Sequence, residues 1–220
     1  MPGWLRNNGL SIAMFALFSV SLVGQVVAGH RVYNDEQIEH EQPAVLLGEY
    51  LRSGHFVEAV FENWESEFLQ MAAFVLLTAY LYQKGSPESR KLEGEPDLDK
   101  HPGKSKKKDS PWPVHRGGLA LKLYSHSLSI ALLLLFGASF LLHAAGGVRD
   151  YNQEQMEHGA GTTMGMMSYI GTSRFWFESF QNWQSEFLSV GVLIVLSVFL
   201  RERHSPESKP VEDPHNETGR

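Results

Sequence analysis

The sequence predicts an all-α integral membrane protein with four transmembrane helices, built by tandem duplication of a two-helix unit and carrying short interfacial helices. Two observations predict this fold. Residues 8–89 recur about 118 positions further along the 220-residue chain, and each copy holds two apolar segments with a polar loop between them. A single internal repeat favours two equivalent halves packed on each other over two unrelated modules.

The repeat is clearest in its polar stretches. RVYNDEQIEH, which starts at Arg31, returns as RDYNQEQMEH from Arg149. NWESEFL, which starts at Asn63, returns as NWQSEFL from Asn182, and SPES follows in both copies. We therefore expect the two halves to fold alike.

Four apolar segments lack Lys and Arg and approach the roughly 20 helical residues that a bilayer core of about 30 Å requires. They are 10–28, 64–82, 127–145 and 183–200. The second and fourth are strictly apolar only over 68–81 and 187–200, so buried helices of a soluble bundle are an alternative for them. All ten prolines lie outside the four segments. Aromatic residues cluster at one end of each short segment, as at a headgroup boundary, which favours membrane helices.

The first apolar segment also has features of a cleavable signal peptide. Arg6 precedes it, and Val26-Val27-Ala28 loosely matches a cleavage site. Its counterpart at 127–145 lies in the middle of the chain, where no signal peptide can be. We therefore predict a retained helix at 10–28.

The basic residues predict the orientation in the plasma (inner) membrane. Only four of the nineteen Lys and Arg residues lie in the loops 30–66 and 148–185, inside the two repeats. The other fifteen lie in the N-terminus, the connector between the repeats and the C-terminal tail. Because cytoplasmic segments carry the excess of positive charge, both termini are expected in the cytoplasm and both polar loops outside it.

We divide the chain into four parts. They are a first two-helix repeat (1–83), a flexible cytoplasmic linker (84–122), a second two-helix repeat (123–203) and a disordered cytoplasmic tail (204–220). The linker combines Gly, Pro and charge without apolar periodicity, so it buries too little surface to offset its ordering entropy. Its KSKKK run at 104–108 is either drawn to anionic headgroups, at about 1 kcal/mol per charge, or a solvated tether.

Composition excludes some functions. The chain has no cysteine, which excludes disulfides and thiolate ligands. Its net charge is -6, and its basic residues are not interleaved with aromatic ones, so no nucleic-acid partner is expected. The expected partners are the lipid bilayer and a membrane-protein partner or a second copy of the chain.

The repeated polar motif is the candidate functional site. It follows Gly29 in one copy and Gly146-Gly147 in the other, where a membrane helix can break or bend. Asn34 is placed to cap a new short helix, with Gln37 in the capping-box position. The side chains that would then share one face, spaced i, i+3, i+4 and i+7, are Tyr33, Glu36, Gln37 and His40.

Two such faces brought together would gather groups that suit zinc, iron or manganese, and a His beside a Glu is also a proton-transfer pair. The candidate metal or proton ligands are Glu36, Glu39, His40, Glu154, Glu157 and His158. Their spacing differs from the Glu-x-x-His of di-iron bundles and from the His-Glu-x-x-His of zinc proteases. The alternative is a structural role, in which these groups cap, contact headgroups or pair with Arg31 and Arg149.

A second repeated element precedes the short apolar segments. Ser66-Glu67 and Ser185-Glu186 suit the start of a helix, with serine as the N-cap and glutamate in the first turn. The alternative is a carboxylate that faces the interior of the bundle. Gln25 and His143 occupy equivalent positions, and only the histidine titrates near neutral pH.

The chain resembles a family of bacterial integral membrane proteins recorded as a domain of unknown function. The resemblance rests on Gln25, Gly29, Tyr33-Asn34, Ser53-Gly54-His55-Phe56 and FENWESEFLQM at 61–71. It covers essentially the whole chain apart from the linker and tail. It implies a small bacterial multi-pass membrane protein, and it implies no catalytic residues.

The sequence therefore predicts a non-enzymatic accessory or envelope component that acts through its extracytoplasmic Glu/His segments. The alternative is a metal- or proton-binding membrane protein, for redox chemistry or transport, with its site formed by the two repeated motifs. No catalytic residue and no particular cofactor is indicated.

Overall fold

The computed structural model describes residues 3–91, 107, 109–159 and 162–219. In this part of the chain the regular elements are all helices, which confirms the all-α prediction. They are α1 (Gly3–Glu39), α2 (Leu47–Tyr50), α3 (Gly54–Tyr80), α4 (Trp112–Arg116), α5 (Gly118–Ser125), α6 (Ser127–Glu157), α7 (Met166–Ile170) and α8 (Ser173–Phe199).

Three of these helices, α1, α6 and α8, are long and apolar enough to cross a membrane. Their apolar side chains are largely exposed, including Leu10 at 77% and Leu134 at 69%, as expected for surfaces that contact lipid. Helix α3 is not among them, because Glu62, Glu65 and Glu67 precede its short apolar run. Length and composition therefore support three of the four predicted spans.

Helices α1 and α6 are longer than a bilayer core. With 37 and 31 residues, they extend about 55 and 46 Å at 1.5 Å per residue, against a core of about 30 Å. The excess carries the polar motifs, since α1 ends at Glu39 and α6 at Glu157. Each apolar segment thus continues directly into its motif as one helix.

The predicted helix break before each motif is wrong. Gly29 and Gly147 lie inside continuous helices, and Asn34 is an interior residue of α1 rather than an N-cap. The glycines serve close packing instead. A Cβ at Gly29 would overlap the Tyr50 hydroxyl, and one at Gly147 would lie 2.5 Å from the Tyr169 hydroxyl. The short helices of the loops are α2 and α7, which follow the motifs.

The predicted N-caps at Ser66 and Ser185 are also wrong, because both lie inside long helices. Their hydroxyls donate to carbonyl groups three residues earlier, over 2.7 and 2.8 Å. Helices α3 and α8 start about one dozen residues earlier in the sequence than predicted, immediately after Ser53 and Thr172. There the Phe56 amide donates to Ser53 Oγ over 3.1 Å, and Thr172 Oγ1 accepts the equivalent bond over 3.3 Å, as N-caps do.

The chain forms two compact units. The first comprises Met1–Phe61 with Leu141–Phe175, and the second Glu62–Phe140 with Trp176–Arg220. Both polar motifs, α2 and α7 belong to the first unit. Its core includes Tyr50 and Tyr169, which are 1% and 0% exposed and stand 119 positions apart in the sequence.

The predicted linker lies partly outside the described residues, including Lys104, Lys106 and Lys108. Helix α4 and the beginning of α5 occupy its last part. In the second unit, turns follow α8, and the buried Lys209 donates to the carbonyl groups of Pro214, His215 and Glu217 over 3.0–3.1 Å.

We predict that Gly146→Ala destabilises the protein by roughly 1–3 kcal/mol, because the added methyl group would overlap the backbone of Glu58. Gly137→Ala on the same helix is the matched control, since a Cβ there meets nothing within 4 Å. Thermal unfolding of both variants in detergent measures the difference. Equal midpoints for the two variants would contradict the close packing at Gly146.

Candidate functional site

The two polar motifs lie against each other in the first unit. Gln153 Nε2 donates to Tyr33 Oη over 2.8 Å, and Gln37 Nε2 donates to Glu157 Oε1 over 3.4 Å. Beyond these pairs, the rings of His40 and His158 meet edge to face, with their centroids 5.3 Å apart. The ends of α1 and α6 are therefore joined by three successive side-chain pairs. We call this set the motif pair.

An asparagine in each motif fixes the chain that follows it. Asn34 Oδ1 accepts from the Val45 amide over 2.8 Å, and Asn34 Nδ2 donates to the Val45 carbonyl over 3.2 Å. Asn152 makes the same two bonds with Met164, over 2.8 and 2.9 Å. Each asparagine thus satisfies both backbone groups of a loop residue, much as a neighbouring strand does. The loops after both motifs are held back onto their helices.

The structure brings only some of the six predicted ligands together. Glu36, Glu39 and His40 are exposed, while Glu157 accepts hydrogen bonds from Gln37 and Gln153. Among the described residues, no three of the six place ligating atoms close enough to share an ion. His40 and His158 are the two that make a ring contact.

Arg174, at the start of α8, pairs with carboxylates of the second motif. The sequence predicts Arg31 and Arg149 in this role instead. The Arg174 guanidinium forms an ion pair with Glu154 and reaches Asp150 Oδ2 at 3.4 Å. Glu154 is 43% exposed, so water screens this pair and its contribution to stability is at most about 1 kcal/mol. Glu154, one of the six predicted ligands, is therefore already paired with the Arg174 guanidinium.

The most buried titratable groups of the first unit were not among the predicted ligands. Glu58 is 7% exposed and His143 is fully buried, and a carboxylate oxygen of one lies within 4.8 Å of an imidazole nitrogen of the other. Tyr169 Oη donates to Glu58 Oε1 over 2.9 Å. The Glu58 carboxyl group is also one of the groups that influence the pKa of Asp150. We call Glu58, His143, Asp150 and Tyr169 the buried cluster.

Glycines on α6 make room for this cluster. His143, Gly146-Gly147 and Asp150 occupy successive turns of one helix face. A Cβ at Gly146 would overlap the Glu58 backbone, and one at Gly147 would lie 2.6 Å from Glu58 Oε1. The Glu58 side chain therefore fills the gap between His143 and Asp150.

Asp150 lies beyond the apolar segment of α6, and burial raises the pKa of its carboxyl group. Nearby charges act in both directions. His55 and Arg174 lower this pKa, Glu154 raises it, and the neighbouring Glu58 carboxyl group lowers it. Burial outweighs the favourable partners, so the neutral acid is stabilised relative to an exposed aspartate.

Sequence reasoning missed the buried cluster because it searched for chemistry that both repeats share. The position 119 residues after Glu58 is Phe177, and the position 118 residues before Asp150 is Val32. In the sequence, His143 stands out only as the unmatched counterpart of Gln25. The available signal is the set of positions at which one repeat has a polar residue and the other an apolar one, such as Glu58 and Phe177.

In the second unit Glu65 is a buried carboxylate, whereas Glu67, for which the sequence leaves an interior position open, is exposed. Glu65 Oε1 accepts from Ser179 Oγ over 2.9 Å and from Trp183 Nε1 over 3.2 Å. These hydrogen bonds give Glu65 a structural role between α3 and α8.

The all-helical fold and its exposed apolar helices define a protein suited to a membrane. The chain matches, over residues 1–220, a domain of unknown function named DUF6766, and it belongs to that family. No curated protein and no solved structure matches it.

Proposed function

We propose that the chain is a bacterial four-span protein of the plasma membrane that acts as a non-enzymatic accessory or envelope component through its extracytoplasmic polar segments. The observation that carries this proposal is the motif pair, in which polar side chains of both repeated motifs contact each other. Polar groups used in this way build a rigid surface.

A tandem duplication is supported by contacts that recur 118 or 119 positions apart. Asn34 and Asn152 bind backbone groups of the following loop in the same manner. Ser53 and Thr172 cap α3 and α8 in the same way. Such correspondence is expected of two copies of one unit that kept its local structure.

Helix α3 is proposed as the fourth span. Its 27 residues extend about 40 Å, which is long enough for a bilayer core of about 30 Å. The apolar run begins at Phe68, and Trp64 precedes it as an aromatic residue of the headgroup region. With four spans, the basic connector and tail share the cytoplasmic side.

The outer surface of the motif pair is a suitable docking face for a membrane-protein partner or a second copy. It combines exposed apolar side chains, namely Val32, Ile38 and Met156 at 51–60% exposure, with the exposed acids Glu36 and Glu39. Mixed apolar and charged faces of this kind are typical of interaction surfaces.

Cysteine labelling tests this arrangement, and the chain has no native cysteine to interfere. We predict that a cysteine at position 36 reacts with a membrane-impermeant maleimide in intact cells, and that one at position 106 reacts only after permeabilisation. Labelling at position 106 tests whether α3 crosses the membrane. Labelling of both positions from outside would contradict the four-span topology.

A second candidate function is metal or proton binding by the repeated motifs, and the His40–His158 contact favours it. Zinc–nitrogen bonds of about 2.0–2.1 Å place two imidazole ligands of a tetrahedral ion with centroids roughly 5 Å apart. The observed separation is 5.3 Å. The same two motifs also contain the carboxylates Glu36, Glu39, Glu154 and Glu157, of which Glu154 is paired with Arg174.

For this candidate we predict about one zinc ion per chain in detergent-purified protein and its loss in both His40→Ala and His158→Ala, because each removes one of two imidazole ligands. Elemental analysis after desalting measures the content. His126→Ala, which changes an exposed histidine of the second unit, is the matched control and should keep the metal. Wild-type protein without zinc after loading would rule this candidate out.

A further inference from the structure

We propose that a groove between α3 and α8 binds one acyl chain of an anionic phospholipid, with the phosphate at the turn that follows α3. The groove belongs to the second unit and shares no residue with the motif pair or the buried cluster. Binding there requires α3 to be the proposed fourth span, which labelling at position 106 tests without any lipid. The residues that line it include Gln70, Phe74 and Leu77 on α3, and Phe187, Gly191 and Ile194 on α8.

The groove lies between one face of each helix. Its lining residues are spaced i, i+4 and i+7 on both α3 and α8, as expected for side chains that share a helix face. Gly191 leaves space between the two faces, since a Cβ there would meet nothing within 4 Å. At one end of the groove the helices are joined, because Gln70 Nε2 donates to the Glu186 carbonyl over 2.9 Å.

The size of the groove suits a single hydrocarbon chain. Its volume is about 320 Å³, and small-molecule sites measure about 300–1,000 Å³. From Gln70 to the end of α3 at Tyr80 the helix rises about 15 Å, which is half of a bilayer core of about 30 Å and so the depth of one leaflet. A helix about 10 Å wide and of this length would fill roughly 1,200 Å³. The groove is therefore too narrow for a partner helix to enter.

The wall between the two ends of the groove favours hydrocarbon over water. Its polar residue is Thr78, whose hydroxyl donates to the Phe74 carbonyl of the same helix over 2.9 Å. A bound water needs about two to four polar partners, which this wall does not offer. At the rim, Leu77 and Phe187 are 52% and 44% exposed. One acyl chain can thus enter from the surrounding lipid, while the second chain of the same lipid stays there.

The polar turn after α3 forms the other end of the groove. The Gln83 amide donates to Ser89 Oγ over 2.8 Å, and the Gly219 amide donates to the Ser86 carbonyl over 3.0 Å. These bonds hold the turn at the end of the helix. Tyr82, which also lines this end, is an aromatic residue of the kind found at the headgroup boundary. Polar groups therefore begin at the depth where the headgroup of a bound lipid would lie.

The charges at this end favour an anionic headgroup. The turn and the residues after it contain three cations and one acid, namely Lys84, Arg90, Lys91 and Glu88. Arg90 Nη1 donates to the Ala79 carbonyl over 3.1 Å, which places the guanidinium at the end of α3. Lys84 and Lys91 are exposed. Two positive charges in excess beside a membrane surface attract anionic lipid.

Photo-crosslinking locates the bound chain. The full-length, detergent-purified protein is mixed with phosphatidylglycerol that carries a diazirine in one acyl chain, and the labelled peptides are identified by mass spectrometry after irradiation. We expect the label on residues 70–81 and 187–194, which line the groove. Labels spread over exposed apolar faces such as that of α1 would overturn the proposal. A groove filled by a second copy of the chain would leave both segments unlabelled and would overturn it as well.

Gly191→Leu tests the groove itself, because the added side chain enters open space and takes up groove volume. We expect binding of phosphatidylglycerol, measured by native mass spectrometry, to weaken by about tenfold or more, since the chain then buries fewer CH₂ groups. Gly24→Leu is the matched control, at an exposed glycine of α1 whose Cβ also meets nothing within 4 Å. Circular dichroism checks that both variants are folded, and the wild-type labelling pattern decides independently of them.

A comparison of two headgroups tests the charge preference. Phosphatidylglycerol should bind the wild type more tightly than phosphatidylcholine with the same acyl chains, because only the first lipid carries a net negative charge. Lys84→Gln combined with Lys91→Gln should remove this difference. The proposal is overturned if the wild type binds both lipids equally, if the double variant keeps the preference, or if Gly191→Leu binds phosphatidylglycerol as well as Gly24→Leu does.

Discussion

The hydrogen bonds that join the ends of α1 and α6 are the interaction on which the first unit depends. Gln153 to Tyr33 and Gln37 to Glu157 connect two helices that extend well beyond a bilayer core. A single bond of this kind contributes only about 1 kcal/mol, and these part-buried bonds act as a set because they join the same two helix ends. With the helix ends fixed, Asn34 and Asn152 can hold the following loops in place.

The same scaffold carries different chemistry in its two halves. Tyr50 and Tyr169 fill equivalent core positions against glycines of the preceding helix. The Tyr169 hydroxyl meets Glu58, while the ring of Tyr50 packs against that of Tyr33, with centroids 5.6 Å apart. The two halves therefore share these packing residues but not the acids.

Much of this fold follows from local sequence, and the errors have physical causes. The long apolar segments predict α1 and α6, but the repeat alone does not say whether the two polar motifs meet. Whether Gly29 breaks a helix or admits a neighbour depends on Tyr50, which lies about one loop further on, so local sequence cannot decide it. Serine caps are ambiguous in the same way. Ser66 donates to a carbonyl group inside a helix, whereas Ser53 accepts from an amide at the start of one. The pairing of Arg174 with Glu154 needs the tertiary fold.

Crosslinking tests the motif pair most directly. Cysteines replace His40 and His158 in the cysteine-free chain, and a protease site is placed in the connector between the repeats. After treatment of native membranes with a short thiol–thiol crosslinker and protease, we expect the two halves to stay covalently joined, because the rings at these positions are 5.3 Å apart. Halves that separate, although both cysteines are accessible to a maleimide, would show that the ends of α1 and α6 are not joined.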